Sequence, residues 1–264
     1  MTMITADMHT HSFFSGDSNE PTREMVISAV EKGLKTICLT EHNDIDYPNN
    51  EFDLNVEEYR AEHLRLKEEF SDKIELLFGV ELGIMGYLSD RLKEFVKDQG
   101  FDFIIGSSHL VNGKDPYYPE YFEGLGTKNG ILGYFESIFE NINSYSDFDV
   151  YGHLDYVVRY SAERSYDPID YREIIDEILK KLVLMGKGIE INTEGLKTLG
   201  YVHPHRFILE RYRELGGEII TVGSDAHERT RVAADLDKAE CALKNAGFEY
   251  YTVFRARKAE FIKL

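Results

Sequence analysis

The stretch ADMHTHSFFSGD sets His9 and His11 one residue apart at the end of the chain's first apolar run and brings Asp17 six residues later. In an extended segment alternate residues face the same side, so both imidazoles can serve one site, although such a triplet alone identifies no ion. The same ending recurs along the chain. Later apolar runs finish in Glu41 and His42, in Glu81, in His109, in His153 and Asp155, in Glu190, Asn192 and Glu194, and in Asp225 and His227. Six of the nine histidines stand at such ends, a placement for which core packing offers no reason. Imidazole and carboxylate without thiolate form a donor set better suited to Zn, Fe or Mn than to Ca or Mg.

Residues so far apart in sequence meet only if the runs are strands of one sheet. MITADMH, TICLTEH, ELLFGVEL, FIIGSSH, DVYGHL, GIEINTE and IITVGSDAH read as strands. TREMVISAVEKG, EEYRAEHLRLKEEF, LSDRLKEFVKDQG, YREIIDEILKKLVLMG and HRFILERYRELGG carry the helical period. The count is seven βα units. Strands that are apolar almost throughout call for a parallel sheet covered by helices, and repeated units of this length point to closure into a barrel. In such barrels the C-terminal strand ends and the loops after them form the active face, where distant residues converge. An open doubly wound sheet is the alternative, weakened because no Gly-x-Gly-x-x-Gly follows the first strand. Gly33, Gly100 and Gly216 fit helix C-terminal caps, and Ser89 or Asp90 is placed to cap the third helix. The tail EYYTVFRARKAEFIKL alternates differently and reads as a terminal strand pair or an edge extension.

The 264 residues, 42% of them hydrophobic, are expected to form one domain over 1–264. Lys and Arg number 30 against 48 Asp and Glu, a formal charge of −18. That balance disfavours unassisted binding to nucleic acid or anionic membranes, which rests on clustered cations. MTMITADMHT has no basic segment followed by a long apolar run, no apolar run approaches bilayer length, and the chain reads as cytoplasmic. Cys38 and Cys241 show no pairing signature and read as small core residues. His63, among charges in EEYRAEHLRLKEEF, is expected on a solvent-facing helix; His203 and His205, in GYVHPHRF, read as cap or loop residues with some claim to touch a ligand. VNGKDPYYPEYFEGLGTKNG is longer than an ordinary βα loop and carries Lys114, Tyr117 and Tyr118, which makes it a candidate lid or pocket wall.

Taken together, MHTHSFFSGD, LTEHND, GVEL, SSHL, YGHLDY and GSDAH resemble the polymerase and histidinol phosphatase (PHP) superfamily in order, residue type and position at strand ends. The resemblance spans nearly the whole chain. It implies a distorted (β/α)7 barrel with the active site at the C-terminal ends of the strands, matching the seven units counted above. It also implies a cluster of three divalent metal ions (Zn, Fe or Mn). His9, His11, Glu81 and Asp225 would hold one ion, with Glu81 bridging to a second that His109 and His153 also bind, while Asp17, His42 and His227 would hold the third. For a stand-alone chain of this length the resemblance implies hydrolysis of L-histidinol phosphate to L-histidinol and phosphate, in histidine biosynthesis.

The chemistry follows from charge. Three divalent ions bring six positive charges against three carboxylates, reversing locally the sign of an acidic protein so that it can bind a phosphate dianion. Water on such ions is acidified from a pKa of 15.7 to about 7, which makes hydroxide the expected nucleophile. His42 and Asp225 are the candidates for protonating the leaving oxygen. Arg159, six residues beyond His153, has the fork geometry for phosphate, with Arg206 a weaker candidate, and Tyr117, Asn192 and Glu194 are candidate substrate contacts. The partner expected is a small phosphate ester. Competing readings are a PHP-type phosphoesterase acting on nucleotides or oligonucleotide ends, an amidohydrolase-type barrel, and a non-catalytic metal module. The second normally has a bridging lysine at its fourth strand, where this chain has His109.

Overall fold

The computed structural model describes residues 4–264; Met3, the first residue of the first expected strand, lies outside the described residues. Seven parallel strands follow one another around a ring: β1 (Ala6–Thr10), β2 (Thr36–Asn43), β3 (Glu75–Gly83), β4 (Phe103–Ser107), β5 (Val150–Tyr151), β6 (Gly188–Asn192) and β7 (Ile220–Gly223). Each pairs with the next in sequence order, which excludes the doubly wound alternative. Closure occurs at the C-terminal ends, where the amide of Asp225 donates to the carbonyl of His9 and that of His11 to Ala226, both at 2.8 Å. Gly223 permits that approach. A Cβ there would lie 2.3 Å from the Cβ of His9 and 2.7 Å from a carboxylate oxygen of Glu190. The ring is a nearly closed (β/α)7 barrel, distorted where β5 shrinks to two residues.

The helices that cover it are α1 (Thr22–Glu31), α2 (Val56–Glu69), α3 (Ser89–Val96), α4 (Gly126–Ser144), α5 (Arg172–Leu184), the single turn α6 (Gly195–Thr198), α7 (Arg206–Glu214) and α8 (Leu236–Asn245). Gly33, Gly100 and Gly216 follow helices with φ of 76°, 68° and 90°, the left-handed region that β-carbons disfavour. Ser89 does not cap α3; its hydroxyl donates to the carbonyl of Ser144. The long loop after β4 ends sooner than its composition indicates, because the glycine-rich GTKNG already forms the first turn of α4. Among the described residues no helix is long and apolar enough to cross a membrane.

The tail forms an antiparallel pair, β8 (Tyr250–Arg255) and β9 (Lys258–Lys263), a separate sheet and not an edge extension of the barrel. Its anchors all lie at strand starts. Arg255 forks onto Glu75 at 2.6 Å, Arg257 reaches Asp149 at 2.6 Å, the hydroxyl of Thr252 accepts from the amide of Ile220, and that of Tyr251 accepts from Thr5. The hairpin therefore belts the N-terminal end of the ring and leaves the other end open.

His63 departs from expectation. Val56, Tyr59, His63 and Leu66 form the buried stripe of α2, with His63 only 3% exposed and its ring 5.0 Å from that of Phe78. Their spacing of three and four residues marks that stripe, and the surrounding charges hide it. Burial, aided by the charge of Lys67, pushes the His63 pKa down to about 4. An unfolded chain protonates this imidazole near pH 6.5, so the contribution is intact above that pH and is lost as pH falls toward 4, at most roughly 3 kcal/mol. His63→Leu should flatten that part of the stability profile, measured by denaturant unfolding at pH 7 and pH 4.5.

Candidate metal centre

At the open end the strands deliver side chains to one point. Glu81, in β3, is fully buried and lies at the centre. One of its carboxylate oxygens is 3.1 Å from Nε2 of His9, 3.5 Å from Nε2 of His11 and 3.1 Å from Nδ1 of His42. The other is 3.3 Å from Nε2 of His109, 2.9 Å from Nε2 of His153, and accepts the Ser107 hydroxyl at 2.6 Å. Asp225 adds an oxygen 3.5 Å from His9 and 3.3 Å from His11. Asp17 lies at the rim, 3.0 Å from Nε2 of His227 and 3.8 Å from that of His42. The nine residues expected to serve as ligands thus share one end of the barrel.

A second layer fixes which nitrogen faces inward in four of the six rings. Nδ1 of His9 meets Glu190 at 2.6 Å, that of His109 meets Asp44 at 2.7 Å, and that of His227 meets the carbonyl of Asp225 at 2.9 Å. Those acceptors require a proton on Nδ1 and leave the Nε2 lone pair toward the cluster. His11 reaches the same state by a relay: the Ser15 hydroxyl donates to buried Glu41 at 2.6 Å and so accepts from Nδ1 of His11 at 3.1 Å. Glu41, although at a strand end, turns away from the cluster and holds the loop after β1 through Ser12 and Ser15.

The electrostatics are those of a cage for cations. Burial opposes ionisation of Glu81, but His9, His109 and His42 outweigh it and hold the carboxyl well below its usual range. Asp225 is held down likewise, burial being outweighed mainly by His9 and His11. Burial also opposes charge on His227, yet Asp17 and Asp225 push it up to about 9. His11 goes the other way, driven well below its usual range by burial and by the charges of His42 and His227, whose rings stack on it at 4.1 and 4.2 Å. Protons alone cannot satisfy such a cluster. Nε2 of His11 and Nδ1 of His42 are buried and make no hydrogen bond. Three groups, His9/His11/Asp225, His11/His42/His227 and His42/Glu81/His109, each offer ligand atoms within 4.8 Å of one another. The residues present therefore fit divalent metal ions.

A cavity of about 320 Å³ opens above the cluster, walled by Tyr47, Phe52, Tyr117, Tyr118, Tyr156 and Tyr160, with Asp44, Glu51, Asp115 and Arg159 as further polar groups. A second cavity adjoins it and shares Asp17, Arg159, Tyr160, Asp225 and His227, adding Glu194, Lys197 and Arg231. Arg159 stands where the two meet, its guanidinium 4.3 Å from the ring of Tyr156 and 5.0 Å from that of Tyr160. Tyr117 packs edge-on against Tyr160, so the loop after β4 does form a wall, while Lys114 turns away toward the carbonyl of Glu120. Asn192 lines neither cavity; buried, it donates to Asp225 at 3.1 Å. Glu194 lines the second cavity, paired with Lys197 at 2.9 Å. Arg206 pairs with Glu210 on the exposed face of α7 and lines neither. His205 caps α7 by accepting from the amide of Phe207, and His203 is buried against Asp155. Asp44, Asp115 and Ser15 carry no signal in the sequence beyond Asp44 standing two residues after His42.

The PHP domain family matches residues 7–194. The histidinol-phosphatase of Lactococcus lactis is 34% identical over 261 residues, covering 98% of this chain and 97% of its own. A crystal structure of histidinol phosphate phosphatase from Lactococcus lactis, complexed with zinc, L-histidinol and phosphate, superposes with a TM-score of 0.90 at 32% identity, covering 97% of this chain and 98% of that one. A protein from Listeria monocytogenes shares the fold, with a TM-score of 0.77 at 19% identity over 88% of this chain and 98% of its own.

Zinc added to chelator-treated protein should raise Tm. At a hundredfold excess over Kd the gain is about 2.7 kcal/mol per site, some 5–10 °C. Glu81→Ala should remove most of it, and a Tm indifferent to zinc would contradict the cage.

Proposed function

The chain belongs to the PHP domain family, and from that premise we propose that it is a metal-dependent phosphomonoesterase that hydrolyses L-histidinol phosphate to L-histidinol and phosphate in histidine biosynthesis. The observation that carries the reading is the Glu81 carboxylate, buried within 3.5 Å of five imidazoles, three of which, His42, His109 and His153, line a cavity whose wall also carries Arg159. In this reading His9, His11, Glu81 and Asp225 hold one ion; Glu81, His109 and His153 hold a second; Asp17, His42 and His227 hold a third. The ions are Zn, Fe or Mn by the chemistry of the donors. Bound there, they supply Lewis acidity toward phosphoryl oxygens and acidify water at neutral pH.

The chain's own residues do the rest. Arg159, lying against the rings of Tyr156 and Tyr160 with its Nε making no hydrogen bond, keeps that donor free for a phosphate oxygen. His42 and Asp225, which both line the first cavity, are the candidates for returning a proton to the leaving oxygen. The aromatic wall excludes water and leaves room for a flat organic group beside it. Asp44 and Asp115, on the side of the cavity lined by Tyr47, suit a substrate bearing an amine, since a carboxylate pairs with a cation where a neutral wall would not. Tyr117 belongs to that wall. Glu194 serves the adjoining cavity, and Asn192 acts through Asp225.

Residues 1–264 act as one catalytic domain in this reading. The free cysteines accord with a cytoplasmic setting, Cys38 being buried as expected and Cys241 exposed on α8 instead of in the core. The partner is a small phosphate ester, with no role for nucleic acid in a protein of charge −18.

The deciding assay measures phosphate release from L-histidinol phosphate, nucleotides and a short oligonucleotide after loading with Zn, Mn or Fe, with metal content determined alongside. L-histidinol phosphate should lead the panel by a wide margin; preference for nucleotides would sink the reading. Arg159→Ala should lower kcat/KM by roughly 100-fold, the scale of a lost bidentate ionic contact. Asp115→Asn should raise KM for L-histidinol phosphate several-fold while leaving KM for p-nitrophenyl phosphate, which has no amine, within about twofold.

A further inference from the structure

One buried carboxylate near the site is absent from both the cluster and the cavity walls. Asp155, fully buried two residues after His153, accepts three hydrogen bonds: from Nδ1 of His203 at 2.5 Å, from the amide of His205 at 2.8 Å and from the hydroxyl of Tyr166 at 2.9 Å. Through His203 it is tied to β6, because the amide and carbonyl of His203 pair with the carbonyl and amide of Asn192 at 2.9 and 2.8 Å. Its own carbonyl accepts from the amide of Val158 at 3.0 Å and starts the short helical turn Tyr156–Tyr160, which carries Arg159. Arg159 makes no ion pair among the described residues and its Nε has no hydrogen-bond partner, so its place depends on that turn and on the two rings beside it. The facing wall of the second cavity, Glu194, Lys197 and Thr198, belongs to the loop that runs from β6 back to His203.

We propose that Asp155 is a positioning residue for phosphate binding: by clamping the turn that bears Arg159 to the His203–His205 segment, it fixes the guanidinium over the junction of the two cavities. This rests on the reading of Arg159 as a phosphate contact. Neither His203 nor His205 needs to touch substrate for the pair to matter. Their value lies in tying the loop after β5 to the loop after β6, and a buried carboxylate with three donors is a stiff joint because each donor would be stranded without it.

The test uses the full-length, metal-loaded protein, with inorganic phosphate as the probe by calorimetry and p-nitrophenyl phosphate for kinetics. Asp155→Asn keeps the shape but turns an amide toward donors. It should weaken phosphate binding about tenfold and raise KM in step, with kcat within about threefold and metal per chain unchanged. In an Arg159→Ala background the same substitution should change phosphate affinity by less than about twofold, since the residue it positions is gone. Tyr166→Phe, which removes one hydrogen bond and keeps the ring, should move affinity in the same direction by about two- to threefold, and it decides the matter if Asp155→Asn does not fold. Unchanged phosphate affinity in either folded variant overturns the proposal, as does an equal loss in the Arg159→Ala background or a loss of metal that accounts for the change. Phosphate affinity is read directly, so failure of the L-histidinol phosphate assay mimics none of these results.

Discussion

A carboxylate fully removed from water, touching five imidazoles, is the constraint on which the rest of the molecule depends. Glu81 is ionised in a place where an isolated carboxylate would be strongly disfavoured, and it is tolerable only because positive charge is gathered around it. The barrel supplies that company. No single strand could, since an extended chain sends at most alternate residues to one side, whereas seven strand ends around a ring can each contribute one or two groups. The closure between Gly223 and His9 is part of the same requirement, because a wider seam would move Asp225 and His227 away from the rings they face.

The cage is built in two layers with different tasks. Inner atoms face the cluster, while Glu190, Asp44, Ser15 and the carbonyl of Asp225 hold the outer nitrogens of four imidazoles and so choose the tautomer. Such outer partners tune affinity by one to two orders of magnitude without touching an ion. They also explain how an acidic chain can handle a dianion: the carboxylates of the cluster are engaged with imidazoles, and Arg159 stands on the cavity wall above them.

The strand count, the parallel barrel and the convergence of the imidazoles were legible because each rests on a local repeat, an apolar run ending in a ligand-type residue. The terminal strand pair was legible in kind but not in place, since pairing with strand starts, not with an edge, depends on Arg255 and Arg257 meeting Glu75 and Asp149 across large sequence distances. His63 was misread because charge around it masked a stripe of correct spacing. Among the substrate candidates, Arg159 and Tyr117 face the first cavity, Glu194 only the second, whereas Asn192 and Arg206 are turned elsewhere. Residue type marks a strand end, but the direction of a side chain beyond it is set by loop geometry that no periodicity encodes. Asp115 and Ser15 illustrate the same limit from the other side, as ordinary loop residues made significant only by what the fold places next to them.

The hairpin at the N-terminal end has a consequence for how such a protein can change. Roundness of the ring is secured by a girdle of arginine forks and strand-start hydrogen bonds that shares no side chain with the ligand-bearing rim. Substitutions in the rim loops can therefore redraw the shape of the entrance without slackening the frame. A lineage is free to explore new small molecules while the staves of the barrel stay hooped from below.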